Sequence, residues 1–224
     1  MTSPCSSSTP DRRALIEPRV ARLPLASEQV PSAAVACFFQ EVIRTECVVP
    51  GAPVTAGFLE EVLSLGVRAV VACGGAGVIK PGFDRSRVVL VSSAVRDEGT
   101  SYHYLPPSRE ITADPAMIAR VSAVLERRGV RFTIGKTWTT HAIYRETRTR
   151  IARRLAEGCL TVEMEAAAFL AVATFRDVRF AQMLYGGDDV SGERWDPMRD
   201  KTDRCVRARL FDIAIDAALA LAER

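Results

Sequence analysis

Apolar positions along the chain recur in two rhythms, and the alternation between them predicts most of the elements. In PGAPVTAGFLEEVLSLGV, Phe58, Leu59, Val62, Leu63 and Leu65 recur at helical spacing and Gly66 stops the pattern, which predicts a helix over 54–65. The run RAVVACGG that follows is short, apolar and β-branched and breaks into glycines, as a parallel-sheet strand does where it meets a loop. RVVLVSSAV (87–95), RFTIGKTW (131–138), CLTV (159–162) and VRFAQMLYGG (178–187) repeat the strand signal. Between them DPAMIARVSAVLERRGV reads as an amphipathic helix, with Asp114 as N-cap, Pro115 at the first helical position and Gly129 past its end. ARRLAEG predicts a short helix closed by Gly158, EAAAFLAVATF (165–175) another, and RCVRARLFDIAIDAALALAE a last amphipathic one. Nearer the start, ALIEP and AAVACFF (33–39) read as short buried strands.

Strands alternating with helices predict an α/β fold, a largely parallel sheet with helices on both faces. A chain of 224 residues can bury a substantial core, and 48% hydrophobic with 25% charged residues is an ordinary globular composition. The formal charge is only +3 and the two signs are mixed along the chain, which argues against nucleic acid as the main partner. Six cysteines with no CxxC pair and no nearby histidine suit reduced thiols of a cytoplasmic protein better than a disulfide framework or a metal site. AAAFLAVATF is too short to span a membrane, and the polar start MTSPCSSSTP lacks the apolar segment of a secretory signal. The expected organisation is a disordered tail over 1–12 and a single domain over 13–224.

Two glycine patterns are near misses. GGAGVIKPG lacks the spacing of a dinucleotide fingerprint, and GKT (135–137) has Val130 where a phosphate loop needs its first glycine. Gly74, Gly75, Ala76 and Gly77 nevertheless stand at a strand's carboxyl end, where open α/β sheets bind ligands. A turn needing positive φ explains them equally well. Glu163 and Glu165 are expected in the first turn of a helix, which the macrodipole favours. Their apolar flanks imply a carboxylate shielded from water, which requires partners such as vicinal sugar hydroxyls. Helix capping and ligand binding stay close together on this evidence. Asp188 and Asp189 follow the glycines of YGGDD, where an Asx turn competes with a proton donor, and Asp188 lies nearer the strand. The loop SAVRDEGTSYHYLPPS gathers Arg96, Asp97, Glu98, Tyr102, His103 and Tyr104, a density of charge and aromatics typical of a site or an interface, or of a surface ion-pair network.

In this order, FLEEVLSLGVRAVVACGGAG, SAVRDEGTSYHYLPP, GKTWTTHAIYRET and TVEMEAAAFLAVA resemble the nucleoside phosphorylase superfamily of uridine phosphorylases, hexameric purine nucleoside phosphorylases and adenosylhomocysteine-type nucleosidases. The resemblance implies a three-layer α/β/α sandwich around a mixed, mostly parallel and partly barrelled sheet, assembled as dimers or trimers of dimers. It implies that Glu165 holds the ribose 2′ and 3′ hydroxyls, that Met164 packs on the sugar and that Glu163 lies near base or ribose. Gly74, Gly75, Ala76 and Gly77, with Arg96 and Tyr144, fall in the base and phosphate region, and Asp188 stands where purine-specific relatives protonate the leaving base. The implied reaction is cleavage of a nucleoside's N-glycosidic bond, with inorganic phosphate as co-substrate and no cofactor.

The chain departs from that pattern where phosphate is held. Phosphorolytic relatives carry an arginine and a Ser or Thr where this chain has Ala72 and Gly75, and CFFQEVI stands in place of the N-terminal phosphate loop. His141 replaces a common aspartate, and Ile143 takes the place of the base-stacking aromatic, leaving Tyr144 as the nearest ring. The passage from Arg44 to Pro50 is short beside the resembled family, which implies either a domain lacking some N-terminal strands or an incomplete version of a larger protein. These residues keep phosphorolysis, hydrolysis by water and an inactive nucleoside-binding homologue in view, and leave purine and pyrimidine both open.

Overall fold

The computed structural model describes residues 32–38, 51–197 and 203–223; the expected tail, the ALIEP strand and the short 44–50 passage lie outside them. The described strands are β1 (Ala33–Phe38), β2 (Ala69–Val78), β3 (Val88–Asp97), β4 (Glu110–Thr112), β5 (Phe132–Thr140), β6 (Cys159–Glu163) and β7 (Arg179–Asp189). The helices are α1 (Ala52–Ser64), α2 (Pro115–Arg127), α3 (Arg148–Ala156), α4 (Ala166–Arg176) and α5 (Asp203–Ala222). The short β4 has no sequence signal of its own; it exists by pairing antiparallel with β3 over Ser93–Val95.

Pairing closes part of the sheet on itself. β2 pairs with β6, β6 with β5, β5 with β3, β3 with β7 and β7 again with β2, while β1 and β4 add to β2 and β3. Parallel pairs (β1·β2, β2·β7, β3·β5, β5·β6) outnumber antiparallel ones (β2·β6, β3·β7, β3·β4). Ala76, Val89, Val91 and Leu184, with Leu160 against them, come from β2, β3, β7 and β6 and fill the ring. At Gly135 of β5 a Cβ would lie 2.2 Å from Leu160 Cδ1, so a larger residue there would displace the Leu160 side chain. Helices α2 and α5 pack together on one face, and α1 and α4 on the other. The mixed, mostly parallel sheet between helical layers is the expected α/β architecture.

Local chemistry sets the helix ends. The Asp114 carboxylate accepts from the Ala116 N–H at 2.8 Å, and Gly129 past the end of α2 has φ 61°, as its sequence predicts. Helix α4 is buried on every side from Ala166 to Ala173, the pattern of a core helix rather than a surface one.

Asp97 joins three elements near the site. Its Oδ2 accepts from Trp138 Nε1 of β5 (2.9 Å) and from Arg150 (2.6 Å) and Arg154 (3.0 Å) of α3. The Arg154 side chain is 5% exposed and pairs with both Asp97 and Glu157, so removing Asp97 takes one of two counter-charges from a buried cation. Asp97→Ala is therefore expected to lower unfolding free energy by about 2–3 kcal/mol in urea titrations; a change below about 0.5 kcal/mol would show that the hub is not structural.

Candidate active site

Strand β6 delivers Glu163 as its last residue and α4 begins at Ala166, so Met164 and Glu165 form the turn between them. The expectation that both glutamates lie in the helix is corrected. Strand pairing of Glu163 with Thr139 of β5 extends β6 by one residue, and Glu165 becomes the N-cap position. Both glutamates are buried, at 6% and 8% exposure.

Their partners differ. Glu163 Oε1 accepts from the Thr139 hydroxyl at 2.6 Å, and its Oε2 accepts from the N–H groups of Glu165 (2.8 Å) and Ala166 (2.6 Å). Glu163 thus performs the capping that the macrodipole favours. Glu165 Oε2 accepts from Met164 N–H at 3.2 Å, its carboxyl is also stabilised by the Gly51 backbone N–H, and its buried Oε1 has no partner. Gly51 has φ 138°, a conformation that selects glycine at the entry to α1. Met164 is half-buried, and a Cβ on Gly51 would lie 4.0 Å from its Cε.

Burial pushes both carboxyls above the usual range; three donors oppose the rise at Glu163, while the neighbouring Glu163 charge adds to it at Glu165. The charge is better supported on Glu163, so Glu165 is the group that holds the proton, at up to about 8. A carboxyl raised on folding adds stability that is complete below 4.5 and lost as pH rises through about 8. Glu165→Gln should accordingly flatten the fall in thermal midpoint between pH 5 and 9. An unchanged slope would mean that Glu165 titrates normally.

The glycine segment is part of β2, not a turn beyond it, and none of Gly74, Gly75 and Gly77 has positive φ. Close packing bears on Gly75 and Gly77. A Cβ on Gly77 would lie 3.0 Å from Val162 and 3.3 Å from Asp188 Oδ1, and one on Gly75 would lie 3.2 Å from the Tyr185 ring. An irregularity between Ala76 and Gly77 sets Gly77 opposite Asp188 on β7 and opposite Val162 on β6. Asp188 and the residue before Glu163 thus flank one glycine backbone, about 10 Å apart across two strand spacings.

Asp188 lies within β7, which runs two residues further than its sequence predicts. Burial holds its carboxyl above the usual aspartate range, although its Oδ2 accepts from Trp195 Nε1 at 2.7 Å. The Asx turn belongs to Asp189, whose Oδ1 accepts from Ser191 N–H at 2.8 Å. Sequence reasoning missed three residues here. Trp195 anchors Asp188, Thr139 anchors Glu163, and Glu146 is half-buried with its carboxyl pushed up to about 7 by burial and then by the Asp188 charge, against Arg150. Only Glu146 left a trace in the sequence, as the acid beside Tyr144 in the YRET loop.

Two other expected site residues direct their side chains away from this group, although Arg96 is the strand partner of Thr139. The Arg96 guanidinium is turned into its own loop, donating to Ser101 Oγ (2.9 Å), Ser108 Oγ (2.9 Å) and the carbonyls of Pro106 (2.7 Å) and Leu105 (3.2 Å), and lying over the Tyr102 ring. It orders the 98–108 loop, where Glu98 accepts from Ser101 and adds negative charge near Glu163. Tyr144 is 98% exposed, and His141 is exposed as well. Among the described residues no cluster could hold a metal ion, and no helix is long and apolar enough to cross a membrane.

Residues 35–219 match the family model described as the phosphorylase superfamily. The chain is 33% identical to the uridine phosphorylase of Thermococcus kodakarensis over 94 residues, 42% of this chain and 34% of that protein. It is 24% identical to the guanosine phosphorylase of Halorubrum lacusprofundi over 177 residues, 76% of this chain and 73% of that one. The matched segment thus spans about a third of one relative and about three quarters of the other. In fold the chain is similar to AMP nucleosidase from Bacteroides thetaiotaomicron, with TM-score 0.72, 14% identity and coverage of 95% of this chain and 98% of that one. Uridine phosphorylase from Vibrio fischeri aligns with TM-score 0.67 and 19% identity over 88% and 93% of the two chains.

Proposed function

Because the chain belongs to the phosphorylase superfamily, we propose that it cleaves the N-glycosidic bond of a nucleoside, with Glu165 and Met164 holding the ribose and Asp188 protonating the leaving base. The observation that carries this reading is the buried, unpartnered Oε1 of Glu165. An acceptor in that state loses free energy until a donor fills it, and the 2′ and 3′ hydroxyls of a ribose are suitable donors.

The chemistry follows from charge development. As the bond breaks, the sugar becomes oxocarbenium-like and the base gains negative charge, so a carboxylate fixed on the hydroxyls and an acid facing the base both favour the transition state. The raised carboxyl of Asp188 retains its proton to higher pH than an ordinary aspartate, as a general acid requires.

Phosphorolysis, giving free base and ribose 1-phosphate, is the first form of the reaction. Hydrolysis is the second, and a specific observation favours it: Ala72 and Gly75 supply neither cation nor hydroxyl, and the Tyr185 ring lies against Gly75. Purified protein incubated with ribonucleosides in phosphate and in phosphate-free buffer separates them. Ribose 1-phosphate formed only with phosphate supports the first form, and free ribose without phosphate supports the second. Assembly into dimers or trimers of dimers belongs to the same reading, supported by the exposed rings of Phe58 on α1 and Phe175 on α4.

A further inference from the structure

We propose that Thr139 is a positioning residue for Glu165, acting through Glu163: its hydroxyl bridges the Glu163 carboxylate to the first turn of α4, and so decides which carboxyl carries the charge and which is left for a ligand. This rests on the nucleoside reading only for what the ligand is.

Thr139, the last residue but one of β5, is fully buried. Its hydroxyl donates to Glu163 Oε1 at 2.6 Å while its oxygen accepts from the Ala167 N–H at 3.0 Å. Glu163 Oε2 meanwhile takes the N–H groups of Glu165 and Ala166. Three successive N–H groups at the start of α4, which a helix leaves without internal partners, are thereby satisfied by two residues of neighbouring strands. Glu165, at the cap position itself, makes no capping bond, and its Oε1 stays open. A chain without the Thr139 bridge would leave Ala167 N–H and Glu163 Oε1 each short of a partner inside the core.

The same bridge divides the charge. The charged groups bearing on the pair are Glu98, from the turn after β3, acting on Glu163, and Glu163 acting on Glu165; α1 contributes the Gly51 N–H and α4 its first N–H groups. All the carboxyls repel, so the one with most donors keeps the charge. Removing the Thr139 donor shifts the proton toward Glu163, and Glu165 then ionises at lower pH.

Thr139→Val replaces the hydroxyl by a methyl of similar volume, and Thr139→Ser retains it. Two readouts are followed from pH 5 to 9: binding of uridine and guanosine, and the protonated-carboxyl infrared band of Glu165, identified by its disappearance in Glu165→Gln. Wild-type affinity should rise with pH as Glu165 ionises, because a carboxylate accepts from two hydroxyls where a neutral carboxyl accepts poorly. In Thr139→Val the Glu165 band should titrate about one unit lower, and the rise of nucleoside affinity with pH should move to lower pH by the same amount. Thr139→Ser should restore both. Glu163→Gln, which neutralises the neighbour, should move the Glu165 band in the same direction and replaces Thr139→Val if that variant does not fold. A Glu165 band unmoved in the folded variants, or Thr139→Ser behaving as Thr139→Val, would overturn the proposal. Absence of nucleoside binding to the wild type would sink the nucleoside reading instead, while the infrared titration still decides this one.

Discussion

Glu165→Ala is expected to lower kcat/KM for a ribonucleoside by about 10²–10⁴-fold while changing its 2′,3′-dideoxy counterpart by less than about threefold. The expectation rests on one atom. Oε1 is buried with no partner, whereas Oε2 already accepts from Met164 N–H, so an incoming diol has a defined acceptor and a defined direction of approach. Hydrogen bonds to a charged group contribute about 1.5–3 kcal/mol each, and two lost together give the stated range. The dideoxy compound has no hydroxyls to lose. Equal losses for both compounds would assign the effect to disruption of the turn and remove the sugar-binding role.

Asp188→Asn should reduce kcat for a purine nucleoside by about 10²–10⁴-fold and leave its binding within a few-fold. Asparagine keeps the shape and can still accept from the Trp195 indole, so the geometry of the strand end survives. What it cannot do is transfer a proton as charge builds on the base. The basic limb of the kcat profile should vanish with the carboxyl, since burial raises the Asp188 pKa and makes its loss of a proton the event that ends activity on that side. Unchanged turnover would end the general-acid role, and an equal fall in binding would make Asp188 a base contact only.

Much of this arrangement was legible in the sequence because it depends on local rules. The alternation of strands and helices, the Asp114 cap and the stop at Gly129 follow from side-chain chemistry within a few residues, and the structure reproduces them. Glu163 and Glu165 were recognisable as a pair, but not their division of labour. That depends on Thr139, 24 residues earlier in the chain, which reaches Glu163 only because β5 and β6 are neighbours. The glycines of β2 were placed at the strand's end, with ligand approach and a turn both open, for a similar reason: the Tyr185 ring beside Gly75, and Val162 and Asp188 beside Gly77, lie on strands distant in sequence. Arg96 looked available as a charged loop residue, yet its partners lie within its own loop, where sequence shows proximity but not direction.

The most direct test of the account is release of free base by the purified protein from a panel of purine and pyrimidine ribonucleosides, run beside Glu165→Ala. The account predicts base release from at least one ribonucleoside by the wild type and its near-abolition in the variant. Release that is unaffected by the substitution, or no release from any ribonucleoside, would contradict it.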